Sequence, residues 1–269
     1  MSQASEYSLP YVIHSDEECE RLELQARLAN IQGHLRHLPV LASNRVLDVG
    51  CGSGSMSRLI ARSFPQAEVV GVDLRQQYLD FAEARARSEN IQNLTFECAD
   101  VFALPFPDGA FDVVWTKYLL QWLKVPEKAL AELKRVTKPG GFVVSCDYAG
   151  FGIEHFPIAP DLDRQIREVI SQLADCEIGR KVAPFMIALG FDDVGVKIET
   201  DTLFTVIGRI DPERRWNWEK QLEAARPHIV QIMGSKTNAD RLIERLLAHY
   251  DDPMTCSFTE LYFTRGRVG

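Results

Sequence analysis

The chain has 269 residues, 46% of them hydrophobic, with 30 basic and 38 acidic residues for a net charge of −8. The apolar share suffices for a packed core. The acidic balance counts against a generic nucleic-acid binder, which carries a basic excess, and no apolar run reaches the roughly 20 residues of a membrane-spanning helix.

Residues 1–14 read as irregular, and Met1 to Pro10 is polar and lacks the basic-then-apolar pattern of a secretion signal. Ser15 and Glu18 stand at capping-box spacing. Leu24, Leu28, Ile31 and Leu35 then recur at helical spacing, predicting one helix that Pro39 ends. From Arg45 the pattern alternates between strands and helices. Val46–Val49 is a first short strand, followed by Gly50-Cys51-Gly52-Ser53-Gly54 and a helix through Leu59 and Ile60. Further strands are expected at 69–74, 94–98, 111–115 and 142–146, separated by helices through Leu79 and Ala82 and through Leu130 and Leu133. Strands alternating with helices imply a parallel, doubly wound sheet.

After Ala149 the rhythm loosens. Leu162, Ile166, Val169, Ile170 and Leu173 mark an amphipathic helix, 194–198 a strand, 209–250 mostly helix, and 258–265 a closing strand. The expected fold class is α/β, a Rossmann-like doubly wound sheet of about seven strands with the last antiparallel, plus helical cap inserts. The expected organisation is a helical cap segment over 1–40 and a core over 41–150. The rest of the core, at 179–208 and 256–269, is interrupted by cap inserts at 151–178 and 209–250.

The glycine run after the first strand brings backbone within contact distance of a ligand, at a helix N-terminus with free N–H groups. It fails the dinucleotide fingerprint, because Ser55 or Ser57 stands where a third Gly or Ala is required, and it lacks the Walker lysine. A ligand with one ribose and no phosphate fits better. Asp73 ends the second strand roughly 20 residues on, the position of an acid that holds ribose hydroxyls. Asp100 follows the third strand, where a carboxylate can accept an adenine amine beside the N–H of Val101.

Together, Leu47–Gly54, Asp73, Asp100, Phe111-Asp112-Val113-Val114 and Lys138-Pro139-Gly140-Gly141 occur in order. They resemble class I S-adenosylmethionine-dependent methyltransferases, nearest to the ubiquinone and menaquinone biosynthesis methyltransferase-like (type 11) family. The resemblance covers about residues 40 to 150. It implies an enzyme that binds S-adenosyl-L-methionine, releases S-adenosyl-L-homocysteine, and moves a methyl to O, N or C of a small-molecule acceptor; the polar N-terminus, the lack of an apolar span and the cysteine usage add the expectation of a cytoplasmic location. It implies cofactor contacts from Asp48, Gly50, Cys51, Gly52, Gly54, Asp73, Leu74, Asp100, Val101 and Tyr118. By analogy Tyr11, Arg21 and Gln25 close over the cofactor. No nucleic acid, membrane span or metal is expected as a partner.

Plainer readings stand beside several of these. Asp48 either braces the glycine loop or reaches the methionine ammonium. Cys51 reads as a small packed residue rather than a reactive thiol, and the six cysteines, none in a CxxC pair, read as reduced thiols. His155, following the fifth strand, is the best-placed histidine for a base, against the alternative of a solvated loop residue, and Tyr118 is the other catalytic candidate. Trp216 and Trp218 either lid a substrate or pack the insert. Two other functions are compatible with the residues: a methyltransferase-fold cyclase or isomerase, and a non-catalytic regulator that binds the cofactor.

Overall fold

The computed structural model describes Tyr7, residues 16–40 and residues 44–269. Ser15 and Tyr11 lie outside them. Helix α1 (Asp16–Leu28) stops earlier than the apolar spacing predicts. Asn30 adopts a left-handed conformation (φ 50°), and a separate turn, α2 (Ile31–His34), follows. Asparagine tolerates that conformation better than most residues, so the stripe continues across a break in the backbone.

The core is the expected alternation: β1 (Arg45–Val49), α3 (Ser55–Ser63), β2 (Glu68–Asp73), α4 (Gln76–Ser88), β3 (Leu94–Cys98), β4 (Phe111–Lys117), α5 (Pro126–Val136) and β5 (Thr137–Phe156). Then come α6 (Pro160–Leu173), α7 (Ile178–Ala188), β6 (Asp192–Thr200), β7 (Val206–Ile207), α8 (Pro212–Met233), α9 (Lys236–Asp251) and β8 (Cys256–Arg267). The strand order is β3-β2-β1-β4-β5-β8-β6, with the two-residue β7 on β8. Strands β1 to β5 pair in parallel, and β8 runs antiparallel to both β5 and β6.

Apolar side chains alternate across β4 and sort the core into two layers. Val113 and Trp115 face the side covered by α3, α6, α8 and α9, and Val114 faces the side covered by α5 and α7. Both layers bury continuous Val, Leu and Ile, as a sheet covered on both faces requires.

The largest departure from the expected pattern is β5, which runs to Phe156 rather than stopping near Cys146. It stays paired with β8 from Phe142↔Arg267 to Phe156↔Cys256, across a bulge between Ala149 and Glu154. Gly150 (φ 77°) and Gly152 (φ 66°) supply the left-handed backbone there. The two strands thereby carry the sheet outward to α6, α8 and α9, which pack on one another, with α8 also packed on α1. Among the described residues, no helix is long and apolar enough to cross a membrane.

Candidate functional site

The site forms at the carboxyl ends of β1, β2 and β4, where the strand order reverses direction, the usual ligand crevice of an open α/β sheet. The glycine loop turns sharply there: the N–H groups of Gly50 and Cys51 both donate to Val72 O, at 2.8 and 2.9 Å. Gly54, at φ 75°, opens α3, and a Cβ on it would stand 2.8 Å from both Ala82 Cβ and Phe96 Cζ. Glycine is therefore required at this position by backbone conformation and by space.

Asp73 closes the loop from the next strand. Its Oδ2 accepts from Gly52 N at 2.9 Å and its Oδ1 from Arg75 N at 3.0 Å. Burial raises its carboxyl above the usual carboxylate range despite those bonds. Asp48 lies behind the loop, fully buried, accepting from Ser57 Oγ at 2.5 Å. Burial pushes it up to about 7. The bond to Ser57 ties the end of β1 to α3 behind the loop. Cys51 is likewise unsuited to attack, because burial pushes its thiol well up.

Asp100 accepts from the Tyr7 hydroxyl at 2.7 Å and from Phe102 N at 3.0 Å, both through Oδ1. Its Oδ2 is buried with no partner among the described residues. A buried carboxylate oxygen left in this state wants a donor, and an adenine amine is one. Val101 beside it is buried in the core.

A cavity of about 520 Å3 extends from Tyr7, Gly52 and Asp73 to the space lined by α6, α8 and α9, the cap helices. Gly52, Asp73, Leu74, Tyr118, Arg21 and Gln25 line it, whereas among the described residues Asp48, Gly50, Cys51, Gly54, Asp100, Val101 and His155 do not. Arg21 is 2% exposed. It donates to Glu18 Oε1 and Oε2 (2.7 Å each), to Gln25 Oε1 (2.7 Å) and to Asn217 Oδ1 (2.9 Å). It therefore ties α1 to α8 over the cavity.

His155 has a structural place. Its Nε2 meets Gly152 O at 3.0 Å, so that nitrogen carries the proton, and Nδ1 accepts from Ser257 Oγ at 2.8 Å. Burial lowers it to about 4. Tyr118 stands at the cavity, in a left-handed conformation (φ 57°). Its hydroxyl donates to Asp201 Oδ2 at 2.9 Å, and burial and the Asp201 charge raise its pKa well above the ordinary value. Trp218, 3% exposed, packs on Phe151, Phe204 and Tyr250 and also lines the cavity.

The residue that sequence reasoning passed over is Lys117, the last residue of β4. It lines the cavity with its ammonium 3.2 Å from the Tyr118 ring centroid. Burial lowers it to about 8, against the carboxylates of Asp201, Asp147 and Asp48, which hold it up. A lysine at the end of a strand whose Val113, Val114 and Trp115 are buried was the available signal. Tyr7 and Asp201 were missed too, and no spacing marks either.

A family model described as a methyltransferase domain matches residues 47–145. The chain is 31% identical over 224 residues to "probable methyltransferase ltbC" of Aspergillus luteorubrus, covering 76% of this chain and 77% of that one. It is 40% identical over 119 residues to the malonyl-acyl-carrier-protein O-methyltransferase of Herminiimonas arsenicoxydans, covering 44% of this chain but only 40% of that one. The solved geranyl diphosphate C-methyltransferase of Streptomyces coelicolor A3(2) superposes with a TM-score of 0.57 at 18% identity, over 95% of this chain and 85% of that one, and shares the fold. With these matches and the glycine loop, Asp73 and Asp100 at the strand ends, the chain belongs to the class I S-adenosylmethionine-dependent methyltransferases, within the methyltransferase type 11 family.

Proposed function

We propose that this protein moves a methyl group from S-adenosyl-L-methionine to a small-molecule acceptor. The observation that carries this is the cavity that runs from Gly52 and Asp73, past Lys117 and Tyr118, into the cap. A cofactor at one end and an acceptor at the other meet at Tyr118.

The residues present fit the cofactor. The orphaned Asp100 Oδ2 suits an adenine amine, Asp73 faces the cavity where ribose hydroxyls would lie, and Gly52 lines the cavity where the methionine end would lie. Tyr7 covers Asp100 from outside. When bound, the cofactor supplies an electrophilic methyl on a sulfonium, so most of the protein's work is alignment and exclusion of water. Arg21 and Gln25 close that end from α1.

Lys117 is the group assigned to the proton. Held near pKa 8 by burial, its amine has a neutral fraction at physiological pH and can take a proton from an acceptor hydroxyl at Nζ. Tyr118 cannot serve as that base, since its hydroxyl is committed to Asp201. It forms the wall on which the ammonium rests. The cytoplasm is the proposed compartment.

The test is thermal unfolding with excess S-adenosylhomocysteine, with NAD as control, followed by labelled-methyl transfer and product mass. A ligand at 100 times its dissociation constant stabilises the fold by about 2.7 kcal/mol. Stabilisation by the homocysteine compound alone, with a product heavier by one methyl, is expected. Stabilisation by NAD alone, or a product of unchanged mass, overturns the reading.

A further inference from the structure

The cap end of the cavity differs in chemistry from the cofactor end. The charged residues that line it, Arg21, Asp73, Arg75 and Lys117, all come from α1, β4 or the end of β2. Among the described residues, α6, α8 and α9 contribute no carboxylate, lysine or arginine to the lining. They contribute instead their apolar stripes, such as Ile166, Val169, Ile170 and Leu173 of α6 and Leu242, Ile243 and Leu246 of α9. Helical spacing of 3 and 4 puts each set on one face, and these faces, packed together in one apolar cluster, also line the cavity.

The other wall is a row of rings. Tyr148 stacks on Tyr118 (centroids 4.1 Å, 17°), Phe151 on Tyr148 (4.9 Å, 17°) and Trp218 on Phe151 (5.6 Å, 9°). Phe204 meets the middle of the row edge-on, 5.4 Å from Tyr148 and 4.8 Å from Phe151. The row begins beside Lys117, where methyl transfer is placed, and ends inside the cap. Two buried nitrogens of lining residues, Trp218 Nε1 and His228 Nε2, have no partner among the described residues. An indole N–H in that state asks for an oxygen.

Resting on the methyl-transfer reading, we propose that the acceptor is an elongated lipophilic molecule. Its nucleophilic hydroxyl lies at Lys117, and its uncharged body lies along the Tyr118–Tyr148–Phe151–Trp218 row against α6, α8 and α9. An oxygen on that body meets Trp218 Nε1. A phosphorylated or multiply charged body is rejected, because burying it in this chamber offers its charges no partner.

The test is isothermal titration of a 4-alkylphenol series, from ethyl to hexyl, into protein saturated with S-adenosylhomocysteine. Each added methylene buried in an apolar chamber tightens binding by roughly three- to fourfold, and this stepwise gain is expected. Phenyl phosphate should bind more weakly than 4-ethylphenol. In Ala225→Trp, which fills the chamber from α8, the gain per methylene should vanish while the homocysteine compound binds as before. Should that variant fold poorly by circular dichroism, the half-buried Leu222→Trp serves the same purpose. Affinity independent of chain length, an unchanged gain in the filled variant, or preference for phenyl phosphate overturns the proposal. Homocysteine-compound binding without chain-length dependence sinks only this inference. Chain-length dependence without homocysteine-compound binding sinks only the cofactor reading.

Discussion

Asp73 and Gly52 are joined across two strand ends by a bond of 2.9 Å from the glycine amide to the carboxylate. The same carboxylate shapes the loop and faces the cavity, so the two roles are separable by substitution. Asp73→Ala removes an ionised acceptor from two backbone donors, and bonds to charged groups are worth about 1.5–3 kcal/mol each. We expect affinity for S-adenosylhomocysteine to fall by about 10- to 100-fold, with a lower melting temperature. Asp73→Asn keeps an oxygen for Gly52 and should recover most of the melting temperature but not the affinity. Titration calorimetry and thermal melts on both variants check this, and unchanged affinity in Asp73→Ala removes Asp73 from the cofactor site.

Lys117 should leave a signature in the pH profile. With its amine held at about 8, turnover on a hydroxyl acceptor should rise with pH through that value as the neutral base forms. Lys117→Met should flatten the rise and lower the rate by about 10²- to 10⁴-fold, the usual contribution of a positioned base. Stability shows the reverse face of the same shift. The folded pKa lies below the free value of 10.5, so the cost of burying the charge is full below pH 8 and fades between 8 and 10.5. Lys117→Met should therefore be more stable than the parent at pH 7, by a margin that shrinks above pH 8. The groups facing the amine, Asp48 on β1, Cys146 and Asp147 on β5, Asp201 after β6 and His34 on α2, remain in the variant.

His34 is lowered to about 3, chiefly by burial with help from the Lys117 charge. The unfolded chain takes up this proton near pH 6.5 and the folded one does not, so stability is lost as pH falls from 6.5 toward 3. Phenylalanine can replace the ring, which packs edge-on to Phe263 at 5.0 Å and whose buried Nδ1 has no partner among the described residues. In His34→Phe the slope of stability against pH in that window should shrink by one proton, about 1.4 kcal/mol per pH unit. Urea unfolding at a series of pH values measures it, and identical slopes would refute the assignment.

Gly54→Ala combines a left-handed backbone with a Cβ set 2.8 Å from Ala82 and Phe96. The conformation costs roughly 1–2 kcal/mol and the overpacking a further 1–3. Denaturant unfolding should show a loss of at least about 2 kcal/mol, with S-adenosylhomocysteine binding weakened because the loop shifts.

The sheet was legible because each strand is an apolar run bounded by turn residues, and the parallel order follows from the helices between them. The glycine loop and its two acids were legible because they lie at strand ends, where chain spacing maps directly onto space. What could not be read depends on contacts between distant segments. Asp201 meets Tyr118 across 83 positions, and His155 is locked by Ser257 across 102. The length of β5 was hidden because its outer half is punctuated by Gly150 and Gly152, which read locally as a loop until pairing with β8 is known. In the cap, the stripes on α6 and α9 showed that these faces avoid water, but not that a cavity lies between them.

The guanidinium of Arg21 has one more implication. Bonded within α1 to Glu18 and Gln25 and across to Asn217 of α8, it joins the two helices, so that on the proposed reading the cofactor end and the acceptor end share a part. Two ligands that both bias one shared element are thermodynamically linked, and the linkage is reciprocal: whatever factor the acceptor lends to cofactor affinity, the cofactor returns to the acceptor. Spent cofactor and methylated product would then hold one another in place, and the first of them to leave would loosen the second.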